Sequence, residues 1–233
     1  EKMGVKLDLS GFDYTKVFKK SRQAADRLSK GVAFLMKKNK IEVVEGTGKL
    51  TSSTTIEVEG EKGKQTVQAA KILIATGSRP RELPGFEFDE KQVLSSTGAL
   101  MLEEVPEKLV ILGAGAIGCE FAHIMSSFGS KVTLVEMLPQ ILPLEDPDAA
   151  KVLADDFKKR KIDMRLNTKA SALKKSKSGI TVSLENADGE SEDVKADKIL
   201  VVVGRVPNTA KIGLEELGVA TEKGFIQVGD YYQ

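Results

Sequence analysis

The chain has 233 residues, room for one large domain or two small ones, and its 41% hydrophobic and 30% charged content is ordinary for a globular protein. With 35 basic and 34 acidic residues the net charge is +1, which gives no electrostatic case for a nucleic-acid partner. No apolar run approaches the roughly 20 residues a membrane span needs and no signal or transit peptide is visible; the single cysteine excludes an internal disulfide and fits a reducing compartment.

Apolar residues at Val17, Ala24, Ala25, Leu28, Val32, Leu35 and Met36 fall mostly three or four apart. That spacing predicts an amphipathic helix over 13–38, bent or loosened near Gly31. Strands are expected at 41–50, 54–59 and 66–75, with a hairpin turn at 60–64. This block closes on Ala75-Thr76-Gly77-Ser78-Arg79-Pro80, and residues 84–94, opening on Pro84-Gly85, read as a linker. Ser95 can cap a short helix ending before Pro106. An apolar strand at 109–112, a helix at 116–128 and a strand at 131–136 make a βαβ unit. Asp146 caps a helix over 147–161, followed by a strand at 162–167. Segments 170–174, 180–185 and 193–195 suggest a small antiparallel meander turning at Asp188-Gly189, before a last buried strand at 198–203. The lysine clusters at 37–40 and 158–161 fall at helix ends, where they suit the helix dipole. The fold class is therefore α/β. A Rossmann-like domain with a parallel sheet and a small antiparallel meander occupies 95–230, after a helix-and-meander block at 1–83.

The chemistry concentrates where strand 109–112 runs into Gly113-Ala114-Gly115-Ala116-Ile117-Gly118. Gly113 permits a tight turn, Gly115 lets backbone approach a pyrophosphate, and Gly118 lets the helix pack on the strand. The helix N-terminus then offers free N–H groups to the anion. Glu136, about twenty residues on, is placed to accept hydrogen bonds from ribose hydroxyls. A 2′-phosphate would be repelled by this acid, and no Lys or Arg occurs from Val132 to Ala150. The pattern therefore favours NAD over NADP. Cys119, inside the motif, reads as small buried filler, and His123 has no partner that would make it catalytic.

Three ordered motifs together resemble the flavin-dependent pyridine nucleotide–disulfide oxidoreductases. They are the glycine turn with Glu120 and Glu136, Ala75-Thr76-Gly77-x-x-Pro80, and Gly204-Arg205-x-Pro207-Asn208. Within the family the likeness is to the branch that oxidises dihydrolipoamide, supported by 31–40, 129–136, Pro139-Gln140-Ile141-Leu142-Pro143 and Leu166-Asn167-Thr168-Lys169. The resemblance implies that NAD contacts Gly113, Gly115, Ala116, Ile117, Gly118, Glu120, Val135, Glu136, Ala170 and Gly204. It places FAD at Gly48, Thr76, Gly77, Ser78 and Arg205. The division it implies is a partial FAD-binding domain at 1–83, the linker at 84–94, and the NAD-binding domain at 95–230.

By the same resemblance, electrons pass from dihydrolipoamide through a redox disulfide and FAD to NAD. The partner would be a lipoyl-bearing acyltransferase of a 2-oxo acid dehydrogenase complex. A homodimer is implied, in the mitochondrial matrix of a eukaryote or the cytoplasm otherwise. One cysteine and one histidine cannot supply the family's cysteine pair or its His…Glu acid–base pair, so no catalytic residue and no metal ligand is assigned here. The chain reads as an internal piece lacking the N-terminal redox-cysteine segment and the C-terminal interface domain. Two other readings stay open: an NAD-binding module without catalysis, and an NADH oxidase or other reductase of the family.

Overall fold

The computed structural model describes residues 11–61 and 63–233. The chain divides into two compact units. One holds Pro80–Gly204 with the described residues up to Asp26; the other holds Arg27–Arg79 with Arg205–Gln233. Helix α1, Tyr14–Lys38, is a continuous α-helix through Gly31, because one glycine costs only about 1 kcal/mol against a long run of good helix formers. Lys37 and Lys38 close its last turn, and none of its residues is buried.

In the second unit, β1 (Thr47–Ser52), β2 (Thr55–Gly60) and β3 (Gly63–Gln68) form an antiparallel meander in that order. Both outer strands are displaced from expectation. Gly46 has φ +152° and its backbone lies against Val58 and Glu59, so the ladder starts only at Thr47 rather than at 41. At the far end Gln68 pairs with Thr55, the first residue of β2, which leaves 69–75 no strand partner among the described residues. The short strand β4, Ser78–Pro80, follows.

The first unit is built on a five-stranded parallel sheet. Its strands are β5 (Val93–Leu94), β6 (Lys108–Leu112), β7 (Lys131–Val135), β8 (Asp163–Arg165) and, after the meander, β12 (Lys198–Val201). The spatial order is β5-β12-β6-β7-β8, so the order reverses at β6. Alternation along each strand sends side chains to opposite faces. Leu109, Ile111, Val132, Leu134 and Leu200 share one core with α3 (Ala116–Ser127) and α4 (Pro147–Lys159). Val110, Leu112, Ile199 and Val201 share the other with Ile180, Val182 and Leu184. Those three belong to β10 (Gly179–Asn186), which lies between β9 (Thr168–Ser176) and β11 (Ser191–Ala196). Helices thus cover one face of the sheet and the antiparallel meander covers the other.

Local chemistry sets the helix starts. Ser95 Oγ accepts from Gly98 N at 3.2 Å to cap α2 (Ser96–Ala99), and Asp146 accepts from Asp148 N and Ala149 N to cap α4. The stretch expected to be a linker is partly core. Phe86 is buried, and Val93 and Leu94 form the edge strand at 0% exposure.

The expected 95–230 domain ends earlier by contact, at Gly204, and 205–233 group with the meander unit. There β13 (Arg205–Pro207) pairs with β4, and Leu50 N donates to Ile212 O at 2.9 Å. A closing hairpin, β14 (Thr221–Glu222) and β15 (Phe225–Ile226), turns through Lys223 and Gly224, both at positive φ as a type I′ turn requires.

Candidate functional site

The glycine turn sits at the C-terminal end of β6, where neighbouring connections leave in opposite directions and an open α/β sheet forms its crevice. Gly113 has φ +100°, and a Cβ there would lie 2.6 Å from Val202 O. Its N–H donates to Val135 O at 2.8 Å, which ties the turn to β7. Gly118 is buried, and a Cβ on it would strike the carbonyl of Gly113, so helix and strand touch backbone to backbone. Gly115 differs from both: it is the N-cap of α3, makes no side-chain cap bond, and a Cβ on it would meet no atom within 4 Å. The start of α3 therefore has no side chain capping it and open space beside Gly115, an arrangement that suits an anion.

Before this turn lies a groove of about 700 Å³. Of the residues assigned to NAD, Gly113, Gly115, Ala116, Ile117, Val135, Glu136, Ala170 and Gly204 line it. Gly118 does not; it shapes the turn from behind. Glu136 is held rigidly: one carboxylate oxygen accepts from Ala114 N at 2.8 Å and the other from Leu138 N at 3.1 Å. Each oxygen keeps lone-pair capacity for a ribose hydroxyl. Main-chain bonds fix the strand on both sides, with Glu136 N donating to Arg165 O at 2.8 Å and Thr168 N donating to Glu136 O at 2.9 Å. NAD fits this arrangement: free helix amides for the pyrophosphate, a fixed carboxylate for the ribose, and apolar walls for the rings.

Part of those walls was not legible in the sequence. Leu83, from the expected linker, lines the groove, as do Met137, Leu138 and Leu144 from the loop after β7. That loop folds back through Leu142 N donating to Ala114 O at 2.7 Å, a tertiary bond with no sequence signature. Lys169, one residue before the expected Ala170, is the only cation lining the groove among the described residues.

Glu120 stands apart from the groove. It is exposed on α3 and borders a second cleft of about 530 Å³ with Cys119, His123, Ile124 and Leu153, which shares only Ala116 with the groove. Cys119 is buried, its thiol donating to Ala114 O at 3.3 Å. Burial pushes that thiol up to about 11, with Glu136 and Glu120 acting in the same direction, so it stays protonated and inert. His123 is exposed, and no cluster of metal-ligating side chains occurs among the described residues.

Four of the five residues assigned to FAD come together in the second unit. Arg205 donates to Ser78 Oγ at 2.8 Å and to Ser78 O at 2.6 Å, while Asn208 donates to Thr76 O at 3.1 Å and through its main chain to Gly77 O at 3.0 Å. Gly77 has φ +70°, and an added Cβ would meet nothing within 4 Å, so the turn exposes its backbone to an approaching group. Gly48 takes no part in this clasp and sits on β1 opposite Val58.

The profile of the pyridine nucleotide–disulphide oxidoreductases matches residues 5–233. A dihydrolipoyl dehydrogenase of Zymomonas mobilis is 39% identical over 94% of the chain, which is 47% of that relative. One of Geobacillus stearothermophilus is 38% identical over 98% of the chain and 48% of the relative, and a mitochondrial one of Pisum sativum 39% over 94% and 44%. Among solved structures, LpdA from Mycobacterium tuberculosis superposes with a TM-score of 0.87 at 27% identity, covering 98% of this chain and 50% of that one. The Cu(II) complex of a Cys-to-Ser mutant of the HOCl-induced flavoprotein disulfide reductase RclA of Escherichia coli gives 0.81 at 29%, over 93% and 48%. The chain spans about half the length of the relatives it matches. The expected cofactor classes, a pyridine nucleotide and a flavin, are those of this fold and its relatives. With the glycine turn, its fixed acid and the match along nearly the whole sequence in agreement, the chain belongs to the pyridine nucleotide–disulphide oxidoreductase family.

Proposed function

We propose that this chain carries the NAD site, and part of the FAD site, of an enzyme that oxidises dihydrolipoamide and reduces NAD to NADH. The observation that carries the reading is the groove in which the uncapped start of α3 and the doubly held Glu136 face one ligand-sized space. NAD supplies the hydride acceptor when bound. The chain's own part is to anchor its pyrophosphate on the amides after Gly115, hold the adenosine ribose at Glu136 and seat the rings against Val135, Ala170 and Gly204. Thr76, Gly77, Ser78 and Arg205 would support the flavin, with Gly48 toward its adenine, and Glu120, on the cleft that meets the groove only at Ala116, would stand near a nicotinamide reaching past that residue.

The names of the relatives support dihydrolipoamide as substrate; a lipoyl-bearing acyltransferase partner and a homodimer complete the reading as proposals of their own. The proposed location is the mitochondrial matrix in a eukaryote, in keeping with the mitochondrial relative of Pisum sativum, or the cytoplasm otherwise. A second reading rests on the buried, inert Cys119: with no dithiol of its own, the isolated 233-residue chain binds NAD without turning over. The test is NADH binding by fluorescence. Glu136→Ala should weaken it about tenfold or more, as expected for losing charge-assisted hydrogen bonds; an unchanged dissociation constant removes the ribose assignment.

A further inference from the structure

The preference for NAD was read from a cation-free stretch around Glu136, yet the fold brings a cation to the same groove. Lys169 lines it together with Glu136 and Ala170. It arrives there because Thr168 N donates to Glu136 O at 2.9 Å, which sets the start of β9 beside the end of β7. A cation at the ribose end of a dinucleotide groove accommodates a 2′-phosphate, most often as an arginine, and a lysine can do so as a point charge. Lys169 is not free to do so. In the β9–β10 ladder it stands directly opposite Glu185, and Nζ lies 2.9 Å from that carboxylate. Directly opposed charges on neighbouring antiparallel strands are a defined cross-strand pair rather than a chance surface encounter. Glu185 is the less exposed member, at 33% against 51% for Lys169, so the lysine swings and the acid anchors.

Building on the dinucleotide reading above, we propose that two carboxylates make the choice of NAD over NADP. Glu136 repels the 2′-phosphate, and Glu185 acts as a positioning residue that occupies the ammonium of Lys169 and withholds it from that phosphate. The pair lies at the surface, with Lys169 exposed and Glu185 half-buried, and such pairs are individually weak, so its removal leaves the fold intact while changing which charge faces the groove.

Dissociation constants for NADH and NADPH in wild type, Glu185→Gln, Lys169→Gln and the double variant test this. Glu185→Gln should tighten NADPH relative to NADH by about two- to fivefold, the scale of one released charge pair. That gain should vanish in the double variant and shrink in high salt, as a merely structural effect would not. An unmoved NADPH-to-NADH ratio in Glu185→Gln overturns the proposal. So does a loss of NADPH affinity in Lys169→Gln alone, since Lys169 would then already read the phosphate with Glu185 in place. A wild type that binds neither dinucleotide would instead remove the underlying dinucleotide reading, a separate and recognisable failure.

Discussion

In the parallel-sheet unit the strands bury both faces: Leu109 and Ile111 against helices, Val110 and Leu112 against the meander, all at 3% exposure or less. In the β1–β3 unit only Val58 and Leu214 of the described apolar residues reach full burial. There Leu28, Phe34 and Leu73 stay 73%, 63% and 88% exposed. The difference follows from topology. Parallel strands need crossover connections that place other elements on both faces, whereas a hairpin-linked meander closes its ladder without covering either. The first unit therefore owns a core stiff enough to hold Glu136 and the α3 amides in place, and the second carries its candidate residues on a hydrogen-bonded clasp.

The sharpest break of this contrast is a truncation in each unit. Leu134→Ala, at a fully buried position, should cost about 3 kcal/mol, while Leu28→Ser should stay within about 0.5. Denaturant unfolding measures both, and equal losses would mean the second unit's exposed face is packed after all. Next comes a pair inside the glycine turn. Gly113→Ala meets Val202 O from a positive φ and should cost about 2 kcal/mol. Gly115→Ala meets nothing and should leave the melting temperature almost unchanged while weakening NADH. If both variants lose stability alike, Gly115 is a folding residue and not an open wall of the site.

A smaller effect tests how the first unit secures its edge. Burial works against the charge of Asp89, but Lys175 and the amides of Val93, Lys91 and Gln92 outweigh it and hold the carboxyl well below the usual range. One oxygen accepts from the three amides and the other from Lys175 Nζ at 2.7 Å. Asp89→Ala should cost about 1–2 kcal/mol, and Asp89→Asn less, since it keeps the amide acceptor. Because the native value is depressed, this stabilisation is complete above about pH 4, the ordinary carboxylate value, and is lost as pH falls toward the native one. Acid melting curves of wild type should therefore converge on those of Asp89→Ala; parallel curves down to low pH would assign the stability elsewhere.

The sequence marked the βαβ unit within a residue or so, because its signals are local: an apolar run, three glycines with distinct steric duties, and the Asp146 cap that opens α4 at Pro147. The meander strands 170–174, 180–185 and 193–195 were found but drawn short, since their ends are set by pairing across β9, β10 and β11. The residues at 41–46 and 69–75 carry strand composition without strand partners, and composition cannot see a missing partner. Leu83 and Lys169 went unnoticed for the opposite reason: nothing in their neighbours marks them, and only the return of distant segments brings them to the groove.

What the chain's own order of residues determined, then, is the α/β class, the glycine turn at the start of α3 and the acid that follows it, because helix, strand and turn chemistry act over a few residues. What the tertiary structure alone decided is the strand order that reverses at β6, the anchoring of Glu136 by Ala114 and Leu138, the walls of the groove and the pairing of Lys169 with Glu185. Those depend on which segments meet across dozens of residues, and that is set by burying both faces of the sheet at once.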